Sequence, residues 1–151
     1  MGTRKQRVIE QEKYLAARAL EGEKEVKKAV EGYQQIVKKN PLHIQAVSRL
    51  AILYRKLKLE DQELELLEKA VTNHQSHTED AQREWIASHR EIAEHSKPLA
   101  KMLGLLNEND LPVFKHEEFD RWKSRLDRLK EKINKSRTVK VAKASKHREK
   151  K

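Results

Sequence analysis

Four histidines lie close together near the middle of the sequence and are the first candidates for metal or acid-base chemistry. His74 and His77 have an HxxH spacing, and His89 and His95 lie near them in sequence. A zinc site needs further ligands oriented on the same face, and no compact set of carboxylates and histidines surrounds these residues. We therefore expect turn and surface histidines and no metal site.

The other residue types that could support catalysis have no recognisable arrangement. Cysteine is absent, which excludes disulfides, thiolate zinc sites and cysteine nucleophiles. The four glycines are far apart and form no phosphate-binding loop, and GxSxG and HExxH motifs are absent. Glu117 and Glu118 lie in heavily charged sequence, where we expect them to be solvated. The sequence predicts no enzyme, no catalytic residue and no cofactor.

The basic residues are distributed unevenly along the chain. The formal net charge is +10. Residues 130–151 contain ten Lys and Arg against two Glu, and residues 1–7 contain three basic residues, whereas residues 8–129 are nearly neutral. A net charge concentrated at the ends predicts that acidic partners, nucleic acid among them, would bind there rather than over the whole fold.

The secondary structure that must position the candidate residues is predicted to be helical. Apolar and small residues recur at helical spacing in three segments around the turn at Asn40 and Pro41. They are Val26, Ala29, Val30, Tyr33, Ile36 and Val37; then Ile44, Val47, Leu50, Ala51 and Tyr54; then Leu64, Leu67, Ala70 and Val71. With few glycines and prolines and almost no strand-like alternation, the chain is predicted to be all-α.

A shift of about 34 residues aligns the helices with one another. Two units result, from about Glu10 to His43 and from Ile44 to His77, and they resemble the tetratricopeptide repeat (TPR). Leu50, Ala51, Tyr54, Leu67 and Ala70 match that pattern in the second unit, and Ala17, Ala29, Tyr33 and Pro41 match it in the first. Glu63, Lys13 and Gln75 depart from it. An ordinary bundle of helical hairpins is the alternative.

The resemblance implies a short right-handed stack of antiparallel helix pairs, with a concave groove lined by the first helix of each unit. Such a groove would hold a peptide or a partner helix. The groove candidates are Gln11, Tyr14, Arg18, Gln45, Ser48, Arg49, Ile52 and Arg55. Their arginines suit an acidic peptide or a C-terminal carboxylate. The lysine and asparagine set of chaperone-binding TPR domains is not reproduced. Pairing of these arginines with neighbouring glutamates is the alternative.

The remaining segments are assigned by local signals. Residues 1–8 are predicted to be a basic disordered arm, followed by the two units over 9–77. Ser76 with Glu79 has the capping-box pattern of a helix start, and Pro98 is predicted to lie in the first turn of another helix. Residues 78–110 are predicted to form a divergent third helical pair, whose apolar residues Leu99, Met102, Leu103 and Leu106 would cover the second unit.

The C-terminal region is predicted to be an amphipathic helix over 111–136 and a disordered basic tail over 137–151. The helix carries a seam formed by Phe119, Trp122, Leu126, Leu129 and Ile133. It would cap the stack, or alternatively pair with a partner or with a second copy as a homodimer. The basic residues of the tail are Arg137, Lys140, Lys143, Lys146, Arg148, Lys150 and Lys151.

Two functional hypotheses follow. In the first, the chain is a protein-binding adaptor that holds an acidic or C-terminal peptide segment in its groove, aided by the tail. In the second, the basic ends bind nucleic acid or the ribosome. No apolar run approaches the about 18 residues of a membrane span, and residues 1–14 contain no hydrophobic signal core. We expect an intracellular protein, cytoplasmic or nuclear.

Overall fold

The chain folds into α-helices, and the computed structural model describes residues 2–149. The helices are α1 (Arg4–Gly22), α2 (Val26–Lys39), α3 (Ile44–Lys56), α4 (Glu60–Ser88), α5 (Arg90–Met102) and α6 (Glu117–Glu149). Extended pairing within residues 2–149 is limited to one isolated bridge between Leu106 and Pro112. The predicted all-α class is confirmed. In this part of the chain, no helix has the length and apolar character needed to cross a membrane.

The first four helices pack in chain order, each against the next. The first core cluster joins α1, α2 and α3, and three of its large members, Tyr33, Ile36 and Leu50, are at most 2% exposed. Gly32 allows α1 and α2 to approach closely, because a Cβ atom at this position would lie only 3.1 Å from the Cβ of Ala17. The periodic apolar residues of the sequence therefore do form the core.

The turns that end α1 and α3 have the same geometry and lie 34 residues apart in the sequence. Lys24 and Lys58 occupy the left-handed region, with φ of 62° and 56°. In each turn, the amide of the following residue donates a hydrogen bond of 2.9 Å to the carbonyl five residues earlier. This Schellman-type closure satisfies carbonyls that the end of a helix leaves free.

The N-terminal arm differs from the prediction, because α1 already begins at Arg4. Thr3 and Gln6 form a reciprocal capping box, in which the Gln6 amide donates to the Thr3 hydroxyl at 3.3 Å and the Thr3 amide donates to the Gln6 side chain at 2.7 Å. The disorder predicted for residues 1–8 is therefore wrong for residues 4–8, and Met1 lies outside the described residues.

The predicted helix start at Ser76 is also wrong, because α4 continues without a break from Glu60 to Ser88. In the first unit Asn40 and Pro41 end α2, but the residues 34 positions later are His74 and Gln75, which do not stop a helix. A capping box starts a helix only where the preceding chain has left helical geometry. The result is a long α4 that extends well beyond the core.

The third helical pair differs from the prediction in both packing and boundaries. Pro98 lies inside α5 rather than in its first turn, so the Glu94 carbonyl loses its amide donor within the helix. The apolar residues Leu99, Met102 and Leu103 are exposed by 55–77%, and α5 contains no buried residue. Helix α5 contacts α4 but does not cover the second unit.

Helix α6 covers α3 and α4 instead. A second core cluster unites Val47, Ala51, Leu67 and Ala70 of α3 and α4 with Phe119, Trp122 and Leu126 of α6. Leu129 is also buried, and Ile133 is half-buried. The predicted seam thus packs within the chain as a capping helix, which leaves little of it for a homodimer. The disorder predicted for residues 137–151 is wrong for 137–149, which continue α6, and Lys150 and Lys151 lie outside the described residues.

Candidate binding surfaces

The predicted groove residues lie on α1 and α3, and the structure brings two of them, Arg18 and Arg49, together around Glu21. Arg49 binds the Glu21 carboxylate, with its Nε atom donating at 3.2 Å, and Arg18 lies 3.7 Å away. The Tyr33 hydroxyl also donates to Glu21, at 2.9 Å. The Glu21 side chain is only 10% exposed. Burial lowers the pKa of Arg49, and the nearby charge of Arg18 lowers it further. Arg18 and Arg49 are therefore already paired with Glu21 within the chain.

A second buried carboxylate holds α3, α4 and α6 together. Glu63 is fully buried, and the Arg125 guanidinium donates to it from two nitrogens, at 2.7 and 3.0 Å. Arg55 donates to the same carboxylate at 3.2 and 3.3 Å. The hydrogen bonds to Glu63 raise the pKa of Arg125. Glu63, which departs from the TPR pattern, thus forms an ion cluster between α3, α4 and α6. Arg125 belongs to this cluster, and the sequence analysis did not identify it.

Ser48 connects α3 to the start of α6. Its hydroxyl donates to the Glu118 carboxylate at 2.6 Å and accepts from the Trp122 indole N–H at 3.0 Å. This bridge gives the buried tryptophan a partner for its polar atom, as an indole N–H requires in a core. Of the predicted groove residues, Ser48 thus binds α6 directly, and Arg55 shares the Glu63 carboxylate with Arg125 of α6.

Of the remaining predicted groove residues, some are partly buried against neighbouring side chains and others are exposed to solvent. Tyr14 is half-buried, and its ring centroid lies 6.0 Å from that of Tyr33 and 5.6 Å from that of His43. Gln11 and Gln45 are exposed. Ile52 is half-buried and lines an open cleft between α3 and α6, together with Ser48, Arg55, Arg121 and Arg128. The predicted residues do not form one continuous open groove, and this cleft is the part that stays accessible.

The four candidate histidines do not converge on a common site. His74 is partly buried against Trp122, with the two ring centroids 5.3 Å apart, whereas His77, His89 and His95 are exposed. His89 stacks on Trp85 at 4.7 Å. Among residues 2–149, no group of three or more His, Asp or Glu side chains is placed to hold a metal ion.

Acidification is expected to destabilise the fold through His74. Burial, followed by the charges of His77 and His116, lowers the pKa of His74 below its ordinary value of 6.5. A lowered pKa in the folded state means that the unfolded chain binds the proton more readily, so stability present above pH 6.5 is lost as the pH falls through the folded-state pKa. Urea unfolding at pH 7.5 and pH 5.0 should show a larger loss for the wild type than for His74→Phe.

The control for this experiment is the same substitution at exposed His95, which has no buried ring. His95→Phe should retain the pH dependence of the wild type. If His74→Phe loses as much stability as the wild type between the two pH values, His74 does not cause the acid sensitivity.

The basic residues of the C-terminal region form a second candidate surface, on the free end of α6. Every residue from Asn134 to Glu149 is exposed. This segment contains Lys135, Arg137, Lys140, Lys143, Lys146 and Arg148. Lys135 pairs with Glu131 at 3.2 Å, but within the described chain no ion pair forms from residue 137 onwards. We call residues 134–149 the basic extension.

No known protein family matches this chain, and no characterised protein and no solved structure is significantly similar to it.

Proposed function

We propose that this protein is a non-enzymatic nucleic-acid-binding protein whose basic extension contacts phosphates. One observation carries the proposal: the extension is an exposed helix with six cations and a single carboxylate, that of Glu149. Unlike Arg49 and Arg55, which bind buried glutamates, the cations from Arg137 to Arg148 have no carboxylate partner within the described residues. They are therefore available to an external anion.

Phosphate binding by such a helix needs no sequence-specific contact. Each lysine or arginine that neutralises a phosphate releases condensed counterions, which makes affinity fall steeply with salt. The extension contains no Phe, Tyr or Trp, and His147 is its one aromatic ring, so the interaction depends on phosphate contacts rather than on a platform for stacked bases. A cytoplasmic or nuclear location belongs to this proposal, because nucleic acid is accessible in both compartments.

The test is a titration of labelled nucleic acid of mixed sequence with the full chain at several salt concentrations. We expect binding at 50 mM salt and a logarithmic salt dependence with a slope of about −4 to −5, because about five phosphates would be contacted. Weak binding that is independent of salt, or none at low salt, would overturn the proposal.

Protein binding by a TPR-like stack is the second candidate. The repeated turns at Lys24 and Lys58 support a 34-residue structural unit, and the open cleft beside Ile52 supports a docking surface. The cleft combines the apolar side chain of Ile52 with the exposed cation Arg128, which suits the carboxylate of an acidic or C-terminal peptide. Glu117, Glu118 and Asp120 line the same cleft, and Arg121 pairs with the two glutamates.

Charge reversal at Arg49 or Arg55 would disturb the fold, because both hold buried carboxylates. The better test is Ile52→Asn in the full chain, with capture of partners from cell extract at high salt after nuclease treatment. A discrete protein that the wild type captures and the variant loses would support the groove. Capture of the same protein by both would exclude this cleft as its binding site.

A further inference from the structure

The cations of the basic extension are arranged on two flanks of one helix. Residues eleven positions apart on an α-helix differ by only about 20° around its axis. Lys135 and Lys146 therefore share one flank, while Arg137 and Arg148 share another on nearly the opposite side. Positive charge thus faces two directions at once, which differs from a helix with a single basic stripe.

The two flanks are separated by two faces of the helix. One of these faces is basic, and the other carries mainly small or uncharged side chains. Lys140 and Lys143 lie between the flanks on the basic side. The reverse side has no basic residue and consists mainly of Asn134, Thr138, Val141, Ala142 and Ser145. The cations thus cover more than half of the helix circumference. They could all bind anions only if anions lay on both sides of the helix as well as in front of it.

The extension also projects beyond the helices that hold α6. Helices α4 and α6 run antiparallel, because Trp122 contacts His74 while Lys132 pairs with Glu60 in the first turn of α4. Ser136, Arg137 and Lys140, in the first part of the extension, still border a cleft beside the start of α4, whose lining includes Lys58, Glu60 and Asp61. Residues 141–149, the last nine that the structure describes, therefore project about 13 Å into solvent.

We propose that the basic extension enters the major groove of double-stranded DNA and contacts phosphates on both walls. This inference rests on the nucleic-acid-binding function proposed above and names its substrate. The major groove of B-form DNA is about 12 Å wide and admits an α-helix. Its two phosphate walls would face the Lys135 and Lys146 flank on one side and the Arg137 and Arg148 flank on the other.

Other nucleic acids fit this arrangement less well. The major groove of an A-form RNA duplex is deep and narrow and does not admit side chains on a helix. A single strand offers one line of phosphates rather than two walls, and its bases would find only the ring of His147 for stacking. With lysine and arginine spread over the whole arc, binding would depend on phosphates and would be insensitive to base sequence.

The test compares the full chain on three probes of one sequence: a 20-base-pair DNA duplex, the matching RNA duplex and the single DNA strand. Fluorescence anisotropy at 0.1 M salt should show at least tenfold tighter binding to the DNA duplex. Equal or tighter binding to either other probe overturns the major-groove inference but leaves nucleic-acid binding intact. Failure to bind any of the three overturns the proposed function as well.

Paired variants test whether both flanks take part. Lys135→Gln with Lys146→Gln, and Arg137→Gln with Arg148→Gln, should each weaken binding to duplex DNA roughly 10- to 50-fold and reduce the salt slope by about two. The control is Lys38→Gln with Lys123→Gln, two exposed lysines away from the extension, which should change affinity less than threefold. If only one flank matters, the helix lies on one backbone and the two-walled geometry is wrong.

Discussion

Replacing Arg125 with methionine is expected to lower the free energy of unfolding by about 3 kcal/mol, because it leaves a buried carboxylate short of a partner. Glu63 is fully buried and accepts its two shortest hydrogen bonds from Arg125. Arg55 alone would remain, and its side chain is 48% exposed and binds at longer distances. Chemical denaturation of the purified variant measures the loss.

The physical cause can be separated from a simple packing defect by a second substitution. Glu63→Met combined with Arg125→Met removes the buried charge together with its partner, so the double variant should be more stable than Arg125→Met alone. The matched control is Arg121→Met on the same helix, whose ion pairs with Glu117 and Glu118 are exposed, and which should cost at most about 0.5 kcal/mol. A double variant no more stable than the single one would contradict the proposed cause.

Local patterns predicted the helices of the first half of the chain well. The apolar periodicity of Tyr33, Ile36 and Leu50 identifies the faces that are buried, and Asn40 with Pro41 marks a turn that the structure confirms. The cap at Thr3 and Gln6 was missed, although its spacing is visible in the sequence. These features depend on residues within one or two helical turns of each other, which is why sequence alone can report them.

The contacts of α6 could not be predicted in the same way. Ser48 and Trp122 are separated by 74 positions, and Glu63 and Arg125 by 62. A glutamate at a position for a small residue indicates a buried partner, but nothing local identifies Arg125 among the many basic residues of the chain. The seam from Phe119 to Ile133 was recognised, whereas its choice between capping and self-association required the tertiary structure.

For the basic extension, composition predicts disorder, whereas the structure shows a helix. Its composition suggests disorder, because like charges three positions apart, such as Arg137, Lys140 and Lys143, repel one another within a helix. Lysine, arginine and alanine are nevertheless good helix formers, and the segment directly continues a helix already anchored by Leu126 and Leu129. Propagation from an existing helix avoids the cost of nucleation, and a composition-based prediction of disorder does not include that contribution.

Neutralising the extension should abolish nucleic-acid binding without unfolding the protein. The variant replaces all six cations from Lys135 to Arg148 with glutamine, and its affinity for duplex DNA at 0.1 M salt should fall at least 100-fold, because up to six phosphate contacts are lost. Glutamine also favours helix, and no buried residue changes, so the thermal midpoint and the helical circular dichroism should stay at or above the wild-type values.

The combination of these two results is what identifies the extension as the binding element. Loss of affinity with an unchanged fold assigns binding to the six cations, since the variant keeps the capping contacts of Trp122 and Arg125. Retention of affinity within threefold would instead point to the basic residues Arg4, Lys5 and Arg7 at the start of α1. In that case the helical end of α6 would not be the nucleic-acid-binding surface, and the proposed function would have to be assigned to the opposite end of the sequence.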